Sequence, residues 1–306
     1  MRQFLRAAQE GNVQLVQQMM LQTPNGANLA FWATDGVHGT ALHAASRHGH
    51  DAVVALLLQA GAVVHAAAGG AWQPLHQACR AGHAHVVQQL LTAGADCGAR
   101  LANGQSPLHL AACAGHVDVV QQLLRQQQQE QEEEDSNKNN NTHALRLLHA
   151  VDQRGWTPLH AAAHQGHVAI VQYLVRVAAQ CTNNSTSKNN NIPLLAMRSH
   201  EGYTAFGLVA CQAKRHEHRL AVLRILLLQQ QGDDCCYAQH EANTALQRAL
   251  QRHDLPLVRF LLATGTTTVR RIHLQLARSV PDAMYPLLQA AVSQGLFGTT
   301  TTKRLM

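Results

Sequence analysis

Apolar positions along this chain fall into short stripes of helical period, each preceded by a capping signal and followed by glycine. The clearest stretch runs from Gly155 to Val175. Thr157 has the side chain of a helix N-cap, and Pro158 stands at the first helical position, where a missing N–H costs nothing. Leu159 and the alanines at 161, 162 and 163 predict a short helix with small side chains, which a neighbour can approach closely. Gly166 supplies the left-handed residue that stops it. Ile170, Val171, Leu174 and Val175 then form the stripe of a second amphipathic helix. Two such short helices cannot bury that stripe by themselves, so the unit requires copies of itself on either side.

The copies are present. Thr40-Ala41-Leu42-His43, Gln73-Pro74-Leu75-His76 and Ser106-Pro107-Leu108-His109 begin three units whose starts lie 33 residues apart. The step to Thr157 is 51 residues, then 47 to Thr204-Ala205-Phe206-Gly207 and 40 to Thr244-Ala245-Leu246-Gln247, each one period plus an insertion. A Gly-His step recurs at Gly49-His50, Gly82-His83, Gly115-His116 and Gly166-His167. The apolar core recurs as Val53-Val54 with Leu57-Leu58, Val86-Val87 with Leu90-Leu91, and Val119-Val120 with Leu123-Leu124. This pattern resembles the ankyrin repeat, with its T-P-L-H-x-A signature and 33-residue period. The resemblance covers nearly the whole chain, strongly over 35–176. It implies a mostly α fold, an α-solenoid of helix-turn-helix units joined by short hairpin fingers.

The expected layout follows. Residues 1–34 form an N-terminal capping repeat. An array over 35–264 has repeats starting near 35, 68, 101, 152, 199 and 239, and residues 265–306 supply C-terminal capping helices and a frayed tail. Two Gln/Asn-rich insertions, at about 126–143 and 180–191, lack apolar residues to offset ordering entropy and are expected to be disordered. The glutamine run at the head of the first is expected to prolong the helix before it. About five extra residues, Lys214 to His218, separate the helices of the fifth repeat. The family usually carries Asp-Val-Asn-Ala before each finger, where this chain has Val63-Val64-His65-Ala66 and Asp96-Cys97-Gly98-Ala99. Loss of the turn-bracing asparagine predicts less rigid fingers.

Composition adjusts this picture only slightly. The net charge of +6 comes from 20 arginines and four lysines scattered along the chain, which predicts a generally basic surface and not a phosphate-binding stripe. Seven cysteines at irregular spacing, with no metal-clamp pair, predict free thiols in a reducing compartment. The first twenty residues read as a helix pair and not as a leader, and the most apolar stretch, Ala52 to Trp72, is interrupted by Gln59, Gly61 and His65. It therefore predicts a helix followed by a hairpin, with no membrane insertion. The expected location is the cytoplasm, the nucleus or both.

Histidine is the obvious candidate for chemistry. In the family, the histidine of the capping box bonds the N-cap hydroxyl and backbone, so His43, His76, His109 and His160 are assigned to holding turns, as are those of the Gly-His step. His48-x-His50 and His83-x-His85 have no Cys-x-x-Cys partner, and His216-Glu217-His218 has the wrong spacing for a helical zinc pair. Phosphate-loop, dinucleotide and nucleophile-elbow motifs are missing too, so neither catalysis, metal nor cofactor is expected.

Aromatics at one register position carry more information. The residue before the N-cap is Gly39, Trp72, Gln105, Trp156, Tyr203 and Asn243 in successive repeats. In the ankyrin family this position and the two residues before the Gly-His step face a concave groove. The resemblance thus implies a partner-binding set of Arg47, His48, Trp72, Arg80, Gln105, Cys113, Trp156, His164, Gln165 and Tyr203, rich in the types that dominate interface energetics. The function expected is non-catalytic protein–protein binding in that groove, as adaptor, scaffold or inhibitor. One or more proteins are the partners, with no small-molecule substrate, and the chain acts as a monomer. The alternative is a nucleic-acid-associated factor using the basic surface.

Overall fold

Each apolar stripe becomes a helix in the computed structural model, which describes residues 2–22, 39–129, 141–183, 194–212, 216–229, 235–252, 254–264 and 284–293. Two compact units emerge: residues 1–162 with 172–194, and residues 163–171 with 195–306.

In the first unit the helices come in pairs: α1 (Arg2–Glu10) with α2 (Val13–Gln22), α3 (Ala41–His48) with α4 (Asp51–Gln59), α5 (Pro74–Ala81) with α6 (Ala84–Thr92), and α7 (Pro107–Ala114) with α8 (Val117–Gln129). First helices pack on first helices, α1 on α3, α3 on α5, α5 on α7, and second helices form a parallel layer of their own. Between the layers Leu42, Leu75 and Leu108 are fully buried beside Val54, Leu57, Val87, Leu90, Val120 and Leu123. The buried alanines 41, 45, 78, 111 and 112 supply the thin surface that lets first helices stack. α9 (Asn141–Leu148) packs against α8. The sequence pattern did not reveal this helix.

Thr40, Gln73 and Ser106 are extended N-cap residues, each closing a box with the histidine three positions on. Gly49, Gly82 and Gly115 end those helices in the left-handed conformation, at φ of 74°, 86° and 94°. The fingers are five-residue turns. Leu101 N–H donates to Gln105 O and Gly104 N–H back to Leu101 O, and the same pair of bonds closes Ala68–Trp72, Asp152–Trp156 and Ser199–Tyr203. Successive fingers are tied through Ala102 N–H to Gly70 O and Gln153 N–H to Asn103 O. Aspartates brace two of these connections by side-chain bonds. Asp96 accepts from Gly98 N–H at 2.7 Å, and Asp152 from both Arg154 and Trp156 N–H at 2.9 and 2.8 Å.

α10 (Pro158–Gln165) and α11 (Val168–Asn183) follow, then α12 (Ala205–Gln212), α13 (His216–Gln229), α14 (Cys235–Gln251), α15 (Leu255–Ala263) and α16 (Met284–Ser293). In the second unit α12 packs on α13 and α14, α14 on α15, and α15 on α16, around Phe206, Val209, Leu223, Leu246, Leu250 and Leu261.

Three expectations are corrected. Asn243 and Thr244 do not form a finger and cap; both lie within α14, which starts at Cys235, and Thr244 donates its hydroxyl to Glu241 O inside that helix. The glutamine run does prolong α8, to Gln129, as expected, but the insertions are narrower than their expected bounds, because α9 begins at Asn141 and α11 continues to Asn183. Of the five extra residues expected from Lys214 to His218, His216 to His218 belong to α13. The expected disorder of 130–140 and 184–191, the boundary at 34 and the tail from 294 lie outside the described residues.

Candidate functional site

The histidines of the repeat motif link neighbouring repeats. In each capping box the N-cap N–H donates to histidine Nδ1, at 3.1 Å for Thr40–His43, 3.3 Å for Ser106–His109 and 3.2 Å for Thr157–His160. On the other side of the ring, His43 Nε2–H donates to Trp72 O (2.9 Å) and His109 to Trp156 O (2.9 Å), each in the following finger, and His76 to Ala99 O (3.3 Å), just ahead of the next one. A backbone N–H can only donate and a carbonyl only accept, so these imidazoles are neutral with the proton on Nε2. Burial pushes His43 below the ordinary imidazole value and takes His76 and His109 down to about 4, against the smaller opposing pull of the carbonyls.

The Gly-His histidines reach backwards. His50 Nε2–H donates to Gln9 O (2.8 Å), His83 to Arg47 O (3.1 Å) and His116 to Arg80 O (3.2 Å), covering the carbonyl ends of α1, α3 and α5. These six histidines are joints between repeats, and His160 closes its own box with Thr157.

A cleft of about 530 Å³ opens beside these joints in the first unit. Leu5 and Gln9 of α1 form one wall, Arg47 and His48 at the end of α3 the back, and Ala68, Gly69 and Trp72 of the next finger with Arg80 of α5 the other side. The register position that holds Trp72 is Gly39 one repeat earlier, also in the lining, and at φ 91° it takes no side chain. A Cβ there would lie 2.7 Å from the His43 ring, so the missing side chain leaves the space open. Half-buried Trp72 stands edge-on to His76 at 6.2 Å, and the Arg80 guanidinium lies over its face at 5.5 Å. His48 stacks on His50 at 6.1 Å, and partial burial followed by Arg47 holds its imidazole below the ordinary value.

The family model described as ankyrin repeats (3 copies) matches residues 4–100, 75–186 and 135–236, which together span well over half of the chain. The chain belongs to the ankyrin-repeat family. No curated protein matches it. Ankyrin repeats are generic protein–protein interaction modules, and the family is typically non-catalytic. No described helix is long and apolar enough to cross a membrane.

Of the residues the ankyrin register singled out, the structure gathers Arg47, His48, Trp72 and Arg80 around one cleft. Gln105, Cys113 and Trp156 belong to the same unit but not to that lining. Gln105 bonds Asn103 with both backbone and side chain, and Trp156 carries the Arg154 guanidinium at 5.6 Å. His164, Gln165 and Tyr203 belong to the second unit, where the Arg248 guanidinium covers Tyr203 at 4.8 Å. Tyr203 borders a smaller hollow of about 120 Å³ with Arg198, Glu201, His240, Glu241 and Arg248. Sequence reasoning missed Leu5 and Gln9, because the first repeat lacks the motif that sets the register. It also missed Arg248, which stands at no repeating offset. Gly39 was the available signal, the one glycine in a series of larger side chains.

Proposed function

We propose that this ankyrin-repeat chain is a non-catalytic binding module, an adaptor, scaffold or inhibitor, that seats a partner protein on the finger and first-helix face of the first unit. Trp72 is the anchor, with Arg47, His48 and Arg80 around it. Gln105, Cys113 and Trp156 offer further contacts in the same register, and His164, Gln165 and Tyr203 offer theirs on the second unit. One observation carries this reading: a half-exposed indole, held flat by a guanidinium at 5.5 Å, at the side of an open cleft. A surface aromatic already fixed in orientation loses little entropy on binding and is the commonest kind of interface hot spot. The buried free thiols of Cys79 and Cys211 support residence in a reducing compartment, cytoplasm or nucleus. We take the chain to act as a monomer.

Trp72→Ala tests the anchor. The finger's own bonds use Trp72 backbone atoms, whose carbonyl accepts from His43 and Ala68, so truncating the side chain leaves the turn intact. Loss of a hot-spot tryptophan costs about 2 kcal/mol or more, roughly thirtyfold in affinity. Proteins captured by the full chain and quantified by mass spectrometry should be depleted with Trp72→Ala at unchanged far-UV circular dichroism. An unchanged partner set would remove the cleft from consideration.

A further inference from the structure

We propose that the cleft receives an acidic, extended segment of the partner, its carboxylates on Arg47 and Arg80 and an apolar side chain against Trp72. This rests on the protein-binding reading above and adds the chemistry of what is bound. The two arginines are the charged residues of the lining, which contains no carboxylate. Both are exposed, and among the described residues neither is paired with a carboxylate. Glu10, close in sequence to the α1 wall, is bonded to Arg6 at 2.7 Å. The carbonyls beneath the two guanidiniums are themselves covered, Arg47 O by His83 and Arg80 O by His116. The helix ends therefore compete less for these cations, which face outward into an unneutralised cleft. Arg80 is also held in place over Trp72. A ready-oriented guanidinium gives up less freedom when it forks onto a carboxylate.

The spacing limits the segment. Arg47 and Arg80 are one 33-residue repeat apart, on helices α3 and α5 that pack side by side. Neighbouring packed helices lie about 10 Å apart. An extended chain of three residues per turn places every third side chain on one face at intervals of about 9 Å. Two acidic residues three positions apart, with an apolar residue between them, therefore match the two arginines and the indole. Nucleic acid fits less well: strong backbone binding draws on a run of phosphate contacts, whereas this cleft offers two arginines and none of the chain's lysines, which stand at 138, 188, 214 and 303.

The probe is a displayed library of random dodecapeptides selected on the full chain. The enriched peptides should carry net negative charge, with two Asp or Glu about three residues apart. A synthetic winner should lose roughly tenfold or more in affinity to Arg47→Glu/Arg80→Glu. It should weaken as salt rises from about 50 to about 300 mM, and it should also weaken with Trp72→Ala. Both arginines are exposed, and only their backbone carbonyls serve the repeat joints, so the variant should keep its far-UV signal. Enriched peptides that are neutral or basic, lost with Trp72→Ala but indifferent to the charge reversals, would overturn the acidic specificity and leave the protein-binding cleft standing. So would a failure to enrich any peptide while Trp72→Ala still strips captured proteins. Winners indifferent to all three substitutions, or a single-stranded oligonucleotide of about 20 nucleotides that binds more tightly than any peptide and is lost with the charge reversals, would overturn both.

Discussion

The two units meet the same physical problem with different side chains. A short helix leaves its last carbonyls without partners, and a stack of short helices has many such ends. In the first unit one imidazole from the next repeat covers each end: His50 over Gln9, His83 over Arg47, His116 over Arg80. In the second unit arginines converge on α12. Arg219 donates to Val209 O at 3.2 Å and Ala210 O at 2.5 Å, Arg252 donates to Cys211 O, and Arg248 to the Cys211 thiol at 3.0 Å. The forward joint differs as well. Where His43, His76 and His109 reach the next repeat, the chain has Gly207, and the Thr204 hydroxyl instead donates to buried Glu241 at 2.6 Å. Imidazole is short, so it needs a glycine to come close. Guanidinium reaches further and brings a charge inside, which Asp254 answers at 2.5 Å. The first solution repeats and can be read as a motif; the second is assembled once.

Acid should separate the two units most. His76 and His109 sit at about 4 in the fold, against about 6.5 for a free imidazole. Their folded values are lowered, so between these limits the unfolded chain binds more protons than the native one. Stability is complete above about pH 6.5, declines as pH falls toward 4, and then levels for these groups. The loss is about 2 kcal/mol for each by pH 5 and roughly 3 by pH 4, with His43 adding in the same direction. In a Trp32→Phe background the two remaining tryptophans, at 72 and 156, both fall within the first unit, so their fluorescence follows that unit. The urea midpoint of the tryptophan signal should fall steeply from pH 7 to pH 5. A flat midpoint would mean that these histidines are not the neutral joints described.

Removing an arginine should reverse the contrast. The side chain of Arg219 is 7% exposed and that of its partner Asp254 17% exposed. Arg219→Ala leaves a carboxylate and two carbonyls without their donor, a loss of about 3–5 kcal/mol for a buried pair broken on one side. The helical signal of the second unit should melt early while tryptophan fluorescence keeps its transition. If both signals shift together, or neither does, Arg219 is not a joint confined to the second unit.

This contrast also explains how far the chain could be read from its sequence. Over residues 40–125 the boxes and Gly-His steps are local codes. Thr40, Gln73 and Ser106 each start a helix, and Gly49, Gly82 and Gly115 each end one, where the motif put them. The cleft followed in part, because Arg47, His48, Trp72 and Arg80 hold fixed places in that register. Its far wall did not, since Leu5 and Gln9 precede the first motif. In the second unit the local code misled. Thr244-Ala245-Leu246 has the look of a cap and helix start, yet the segment before it is helical from Cys235, with Glu241 turned to Thr204 and not to a cap of its own. Arg219 lies ten residues beyond the first carbonyl it covers, an offset that no repeat period predicts.

The smallest effect tests why the first solution depends on glycine. Gly82 has φ 86°, and a Cβ added there would lie 2.5 Å from the His116 ring. Gly94 has nearly the same φ, 85°, but nothing within 4 Å of its added Cβ. Alanine at 94 should therefore cost only the left-handed strain, about 1 kcal/mol. Alanine at 82 adds the displacement of a packed ring and should cost about 2–3 kcal/mol in all. The excess should vanish when the ring is gone: in a His116→Ala background, Gly82→Ala should fall to the cost measured at 94, although His116→Ala itself loses the bond to Arg80 O. Tryptophan-monitored urea unfolding of the four variants gives the cycle directly. Equal costs for Gly82→Ala with and without His116 would mean that the glycine serves the turn alone, and that close approach of the imidazole is a consequence of the stack and not its condition.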